Sequence, residues 1–507
     1  MEYIITVDVG TTSVKTGVFD RDLNEIGFVS VEYKLLTPKN DYVEMEPGNY
    51  WDTIVSAIRS LVKKVELNKD DVSAIAVCSQ GETLIPVDIN GQALRNAIVW
   101  IDSRAKEEAE YLSQSIGNNT YYETTGLSGF GPADPISKLL WIKNNEPQIY
   151  AKAHKFLLLT DYIAFLLSGK IASEWTMMSS TGYYDINKNQ VWEALLEKLS
   201  ISSSLIPDIS RSGAIVGGLT PNSANELGLR ENTNIIISAN DQMCAAIGGG
   251  NIAPGMVTET TGTALVIAAT VDKPDYPNGQ GIVYYKHVNE KYMMVPYVNT
   301  ASIILKWFKD EFCDAEIKKC LEEGINIYDY LGELANSVEP LSNGLLLYPH
   351  FAGKNSPDLD PNTKGVFFNV GLETKKAHFI RAIFEGVAYM LKENIQALER
   401  TGIHISEVRS LGGGSKSDIW NQIKADVLNK PISTLKSEES TSLGTAVMAA
   451  VAMGWFSDLE TAVNSAVSYK KSYLPNKENV KKYEKAYLFY LELDRTFKRL
   501  FKEKYYI

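Results

Sequence analysis

Asp8, Thr11, Thr12, Ser13 and Lys15 stand in the single run Asp8-Val9-Gly10-Thr11-Thr12-Ser13-Val14-Lys15, directly behind the apolar segment Tyr3-Ile4-Ile5-Thr6-Val7. A strand that ends in an acid, a glycine and three hydroxyl residues brings backbone N–H groups, side-chain oxygens and a metal-binding carboxylate to one tight turn. That is equipment for the phosphates of a nucleotide. Val14, Val18 and Phe19 resume an apolar pattern, which predicts a hairpin tip rather than the start of a long helix. The run is not a Gly-rich P-loop, since no Gly-Lys-Ser/Thr follows a four-residue spacer, nor a dinucleotide fingerprint. Asp and Gly favour any turn for backbone reasons, so a plain turn stays open for this segment alone.

Two further turns carry the same chemistry. Thr258-Glu259-Thr260-Thr261-Gly262-Thr263-Ala264-Leu265 is a second hydroxyl-and-glycine turn beside a β-type run, and two such turns suggest two similar lobes, each offering a phosphate clamp to a cleft. Leu411-Gly412-Gly413-Gly414-Ser415-Lys416-Ser417 precedes a helical pattern. Its glycines admit a flat ring or a phosphate close to the backbone, and a helix N-terminus adds partial positive charge. A simple strand-to-helix turn is its ordinary alternative.

Other strand ends carry groups suited to a polyhydroxylated ligand. Trp100, Asp102 and Arg104 share a face if that backbone is extended, setting an apolar plate, an acceptor and a donor together. A solvent-facing Asp/Arg pair at the start of the next helix is the competing reading. Gln80 and Glu82, in Ser79-Gln80-Gly81-Glu82-Thr83, could bond sugar hydroxyls or form a charged turn. Asp241, followed by Gln242, closes the run Ile235-Ile236-Ile237-Ser238 ahead of a helix, where an acid can take a proton from an alcohol. The same position suits an N-cap, and the sequence does not separate the two. His154, His287, His350, His378 and His404 have no ligand spacing, and Cys78, Cys244, Cys313 and Cys320 have no zinc-like pairing.

The elements that must position these residues follow from periodicity. β-type runs are read at Ile4 to Val7, Val72 to Ser79, Ile98 to Trp100, Ile235 to Ser238, Leu265 to Ala269 and Val408 to Leu411, and helical patterns at residues 50–65, 103–115, 377–400 and 441–453. Strands alternating with helices imply an α/β protein. With 507 residues the chain is long enough for several domains. The cluster Gly248-Gly249-Gly250-Asn251-Ile252-Ala253-Pro254-Gly255 marks a boundary, giving domains 1–247 and 248–507. Residues 476–505 read as an amphipathic helix packed on the second lobe, with self-association as a homodimer the alternative.

A formal charge of −12 argues against nucleic acid as a partner. No basic leader precedes the first apolar run, and no apolar stretch approaches the roughly eighteen residues of a membrane span. The expectation is a cytoplasmic protein with no membrane partner.

Taken in order, these motifs resemble the carbohydrate kinases of the FGGY family, within the actin/hexokinase/Hsp70-type ATPase superfamily. The resemblance runs from Asp8 to about Trp455 and includes Phe384-Glu385-Gly386-Val387-Ala388 and Lys138-Leu139-Leu140-Trp141-Ile142-Lys143-Asn144-Asn145, with Ala133 departing from the usual residue upstream. It implies an α/β fold of two ribonuclease-H-like lobes with an interlobe cleft, the first lobe binding sugar and the second nucleotide. It further implies ATP and Mg²⁺, with Asp241 as the base that deprotonates the acceptor and Gln242 as a substrate contact. Asp8 would position the metal; Thr11, Thr12, Ser13 and Lys15 would face the phosphates. Thr261, Gly262 and Thr263 match the second phosphate turn, and Gly413, Gly414 and Ser417 match positions near the adenosine. Trp100, Asp102, Arg104, Gln80 and Glu82 match the substrate wall. Such roles suit phosphoryl transfer, which asks mainly for in-line positioning and charge neutralisation.

The implied reaction moves the γ-phosphate of ATP to a primary hydroxyl of a small carbohydrate. Gln80-Gly81-Glu82 departs from the Gln-Met-His of xylulose kinases and the Gln-Arg-Glu of glycerol kinases, while Trp100-x-Asp102-x-Arg104 and residues 300–308 look closer to the xylulose and gluconate branches. The reading is a pentulose such as xylulose, with glycerol or another polyol, and gluconate, as alternatives. Glu82 disfavours an anionic substrate unless Arg104 offsets it. A non-catalytic ATP-binding sugar sensor is the alternative of another class, and Asp241 argues against it.

Overall fold

The computed structural model describes residues 2–276 and 282–503, so Lys504 and Tyr505, the end of the expected tail helix, lie outside the described residues. Contacts divide the chain into two α/β units. One holds Met1–Ile252, Tyr284–Tyr292 and Glu439–Val467, and the other Ala253–Val283, Met293–Glu438 and Ser468–Ile507.

The first unit is built on a six-stranded sheet in the order Ala214–Gly218, Asn234–Asn240, Val72–Ser79, Tyr3–Val9, Ser13–Phe19, Glu25–Glu32. The three strands Tyr3–Val9, Val72–Ser79 and Asn234–Asn240 are parallel, and their apolar residues are nearly all buried, as in a sheet covered on both faces. Ile5, Val7 and Val9 pack with Ile54, Ile58 and Leu61 of the helix Pro47–Lys64 and with Ile163 and Leu167 of the helix Leu159–Ser168. Strand period puts Ile4, Thr6 and Asp8 on the opposite face. The helix Ser440–Ala452 also packs on this sheet, where its Thr445 hydroxyl lies 3.2 Å from Cys78 Sγ.

Helix Ser440–Ala452 meets helix Asp241–Gly248 backbone to backbone. A Cβ on Gly248 would stand 1.9 Å from the Ser440 carbonyl oxygen, and one on Gly444 would stand 1.9 Å from that of Cys244. Only glycine permits this approach. Residues far apart in sequence therefore jointly support the helix that Asp241 begins.

The second unit repeats the wiring. Its central strands run Leu265–Val271, Val257–Thr261, Val408–Leu411, Ile432–Leu435, Tyr469–Tyr473. The first two form an antiparallel hairpin, the next two continue the sheet in parallel, and the last returns antiparallel. A hairpin followed by two parallel strands, in the same spatial order as in the first unit, is the ribonuclease-H-like pattern that the resemblance implies. The helix Lys477–Glu503 buries Val480, Tyr483, Tyr487, Tyr490 and Asp494 along one stripe against this unit. Tyr483 donates to Glu385 at 2.8 Å, and Asp494 accepts from Tyr348 at 2.8 Å.

Two expected elements end differently. The run Ile98 to Trp100 stops as a strand at Ile98, because the Asp102 N–H turns back to the Val99 carbonyl at 2.9 Å. The helix expected from Ser103 begins at Lys106, after the turn that Asp102 and Arg104 stabilise.

Candidate active site

In the first unit the candidate residues gather at the carboxyl ends of the three parallel strands, where open α/β sheets bind ligands. Asp8 lies near the end of strand Tyr3–Val9, opposite Lys15 in the hairpin register. The tip is closed by Gly10 N–H donating to Ser13 O at 3.0 Å, and Tyr33 braces it from outside, its N–H on Thr12 O and its hydroxyl on Gly10 O. Asp8 is 7% exposed, and its Oδ1 is buried without a hydrogen-bond partner. Burial, opposed by Lys15 and reinforced by Glu439, raises its pKa to about 6. An orphaned carboxylate oxygen beside a hairpin of hydroxyl residues fits a hard divalent cation shared with phosphate oxygens. Lys15 pairs with Glu439 at 2.8 Å, a partly exposed contact.

Strand Val72–Ser79 leads into Gln80 and Glu82. Gln80 Oε1 and Nε2 are buried beside the buried Tyr50 hydroxyl. Glu82 sits at φ 55°, and burial lifts its pKa to about 7 against the pull of Lys138. Strand Asn234–Asn240 ends on Asn240, whose Oδ1 accepts from Gln242 N–H at 2.9 Å. Asn240 is therefore the N-cap, and the capping alternative for Asp241 falls away. Asp241 is the first helical residue. Burial, with Asp8 and Glu82 as like-charged neighbours, raises its pKa to about 8. Gln242 follows on the exposed side of the helix.

Trp100, Asp102 and Arg104 do not share the face of an extended strand, because residues 99–102 form a turn. Trp100 is 38% exposed and donates Nε1–H to Thr11 Oγ1 at 2.9 Å. Asp102 is fully buried and accepts from Val43 N–H, Arg104 N–H and the Arg104 guanidinium. Arg104 also reaches Glu44 at 2.7 Å and stacks over Tyr42 at 3.8 Å. The pair is neither the solvent-facing cap nor an open donor and acceptor; it braces the loop that presents Trp100.

The spacing of the Lys138 to Asn145 motif gives Lys138 no distinct role. Wholly buried, it donates to the carbonyls of Glu82 at 2.9 Å, Val99 at 3.0 Å and Trp100 at 3.4 Å. A lysine in an otherwise apolar helical run, Leu139 and Leu140 beside it, was the available signal.

In the second unit, Thr261 ends strand Val257–Thr261, and Gly262 N–H closes the turn on Ala264 O at 2.9 Å. The Thr261 hydroxyl is committed within the protein, donating to Glu259 at 2.7 Å and accepting from Lys424 at 2.9 Å. Lys424 and Glu259 form a fully buried pair at 2.6 Å, joined by Ser410. The exposed side chain of this turn is that of Thr263. Gly412, at φ 71°, lies against Thr260, and Gly414 lies against Thr261, whereas a Cβ on Gly413 would meet nothing within 4 Å. Two of the three glycines thus serve packing between the turns. Ser417 caps the helix Asp418–Leu428 through Trp420 N–H. Beside it opens a cavity of about 640 Å³ lined by Gly332, Asn336, Lys416, Ser417 and Gln422 among others.

The motif Phe384 to Ala388 is internal. Glu385 takes Arg381, Tyr483, Ser342 and Leu341 N–H, and Gly386 lets the helix approach Leu347. Among the described residues no three His, Cys, Asp or Glu side chains converge as a metal cage, and no helix is long and apolar enough to cross a membrane.

The N-terminal domain model of the FGGY family of carbohydrate kinases matches residues 3–248, and the C-terminal domain model matches residues 257–453. The chain is 29% identical to a xylulose kinase of Staphylococcus xylosus over 97% of its own length and 99% of the relative's. It is also 29% identical to a gluconokinase of Bacillus licheniformis, over 97% and 96%. The crystal structure of a gluconate kinase from Lactobacillus acidophilus superposes with a TM-score of 0.90 at 27% identity, covering 99% of each chain. With both family domains accounting for most of the sequence and the doubled actin-like ATPase wiring carrying them, this chain belongs to the FGGY family and is an ATP-dependent carbohydrate kinase.

Proposed function

We propose that the enzyme transfers the γ-phosphate of ATP to a primary hydroxyl of an uncharged ketose, a pentulose such as xylulose. The observation that carries the choice is the charge around Asp241. Asp8 and Glu82 both act on it as like charges, while the nearby cations are committed: Arg104 to Asp102 and Glu44, and Lys138 to three carbonyls. A sugar acid brought there would add a negative charge beside Asp8 and Glu82, whose own cations, Lys15 and Lys138, are already hydrogen-bonded within the protein. Gluconate is the second reading, supported by the 29% identity to a gluconokinase, within one percentage point of that to the Staphylococcus xylulose kinases.

In this reading Asp241 accepts the hydroxyl proton, and Gln80, Glu82 and Trp100 orient the sugar, with Gln242 alongside. Gln80 supports this by presenting a buried amide, beside the Tyr50 hydroxyl, with hydrogen-bonding capacity left for a hydroxyl-rich ligand. Thr11, Thr12, Ser13 and Lys15 face phosphate in the first unit, as do Gly262 and Thr263 in the second, with Gly413, Gly414 and Ser417 beside the adenosine. Asp8 would hold Mg²⁺, which supplies neutralisation of phosphate charge when bound. An ADP-release assay over D-xylulose, D-ribulose, L-xylulose, L-ribulose, D-gluconate, glycerol and erythritol tests the substrate. One pentulose well above the rest is expected; gluconate as the best acceptor would overturn the choice. Asp241→Ala should lower turnover by roughly 10² to 10⁴ with ATP binding retained.

A further inference from the structure

Glu174 is wholly buried and caps the short helix Trp175–Met178. Its carboxylate accepts from Thr176 N–H at 2.8 Å, Met177 N–H at 2.6 Å, the Thr176 hydroxyl at 2.7 Å and the Ser212 hydroxyl. Every partner is a donor, so the site is built for an acceptor-only group. With its own proton directed to Glu174, the Thr176 oxygen accepts from Asn240 N–H at 2.8 Å. Asn240 is the last residue of its strand and the cap from which Asp241 begins its helix. Its Nδ2 reaches Met177 Sδ at 3.7 Å on the same short helix. Beyond that helix, Ser180 lies beside the Glu82 carboxylate and 3.3 Å from where a Gly81 Cβ would stand. One capped turn thus touches both the strand end that carries Asp241 and the turn that carries Gln80 and Glu82.

We propose that Glu174 and Thr176 are positioning residues for phosphoryl transfer: Glu174 orients the Thr176 hydroxyl, which fixes the Asn240 peptide and thereby the direction in which Asp241 leaves the strand. The proposal rests on the reading of Asp241 as the base. Displacing a reacting group by about an ångström costs roughly a hundredfold in rate, so a relay of this kind acts on turnover.

Thr176→Val keeps the shape of the side chain and removes the hydroxyl, and Thr176→Ser keeps the hydroxyl. Both are made in the wild-type and Asp241→Ala backgrounds, and kcat, sugar KM, ATP affinity by calorimetry and the thermal midpoint are measured. The expected result is a kcat about ten- to a hundredfold lower in Thr176→Val, with ATP affinity unchanged. Thr176→Ser should restore turnover, and the valine effect should vanish when Asp241 is already alanine. Equal losses in the valine and serine variants, an undiminished valine effect in the Asp241→Ala background, or a wild-type kcat in Thr176→Val would each overturn the proposal. Full turnover in Asp241→Ala alone would instead overturn the base assignment. Should Thr176→Val fail to fold, Glu174→Gln, which turns an amide N–H₂ toward these donors, is read by the same comparisons.

Discussion

Gly414 lies directly against Thr261: a Cβ on the glycine would stand 2.6 Å from the Thr261 Cβ and 3.0 Å from its carbonyl oxygen. The turn expected near adenosine and the turn expected at phosphate are therefore one continuous backbone surface in the second unit, held from beneath by Lys424 and Glu259. Gly414→Ala should force the turns apart, at a cost of roughly 1–3 kcal/mol typical of overpacking, and weaken ATP binding accordingly. Gly413→Ala should keep the wild-type thermal midpoint, since a Cβ there would meet nothing within 4 Å, yet lose ATP affinity if the adenosine lies beside it as proposed. Calorimetry and thermal unfolding of both variants check this.

Lys138→Met removes the ammonium that ties the Glu82 carbonyl to those of Val99 and Trp100. Hydrogen bonds to a charged group are worth roughly 1.5–3 kcal/mol each, so the two loops should loosen together. Sugar KM should rise by about tenfold or more while ATP KM holds. Equal changes in both would show that Lys138 supports the whole unit rather than the loops proposed to hold the sugar.

The pH dependence follows from the crowded carboxylates. Asp241, the proposed base, has its pKa raised to about 8, so in the free enzyme it is largely protonated below that value. kcat/KM for the sugar, which reports the free enzyme, should rise with pH up to about 8 and then level. Glu82→Gln removes a neighbouring negative charge, lowers the Asp241 pKa and should move this limb to lower pH. A limb that stays in place would show that Glu82 does not face Asp241 in solution.

His287 and His350 are buried neutral, with pKa values lowered by burial to about 4 and about 3. Their folded values lie below the unfolded one, so the stability they contribute is present above about pH 6.5 and is lost as pH falls toward those values. At pH 5, His287 alone should cost about 2 kcal/mol relative to pH 7. His287→Gln should flatten that part of the stability profile, read as the urea midpoint at the two pH values.

Much of this molecule was written locally. The hairpin after Asp8, the strands Val72–Ser79 and Val408–Leu411 and the helix after Ser417 depend on alternation, glycine and capping residues close in sequence, and these elements occur where periodicity put them. The order of the motifs was enough to point to the family. Tertiary structure decided what those residues are free to do. Asp102 and Arg104 carry sugar-binding chemistry in their side chains, but packing turned that chemistry inward, onto each other, Val43 and Glu44. Thr261 matches a phosphate turn, yet its hydroxyl is taken by Glu259 and by Lys424, distant in sequence. Hydrogen-bond partners drawn from remote segments have no sequence spacing, so neither these commitments nor the bracket of Glu174 and Thr176 behind Asp241 could be read before the chain was folded.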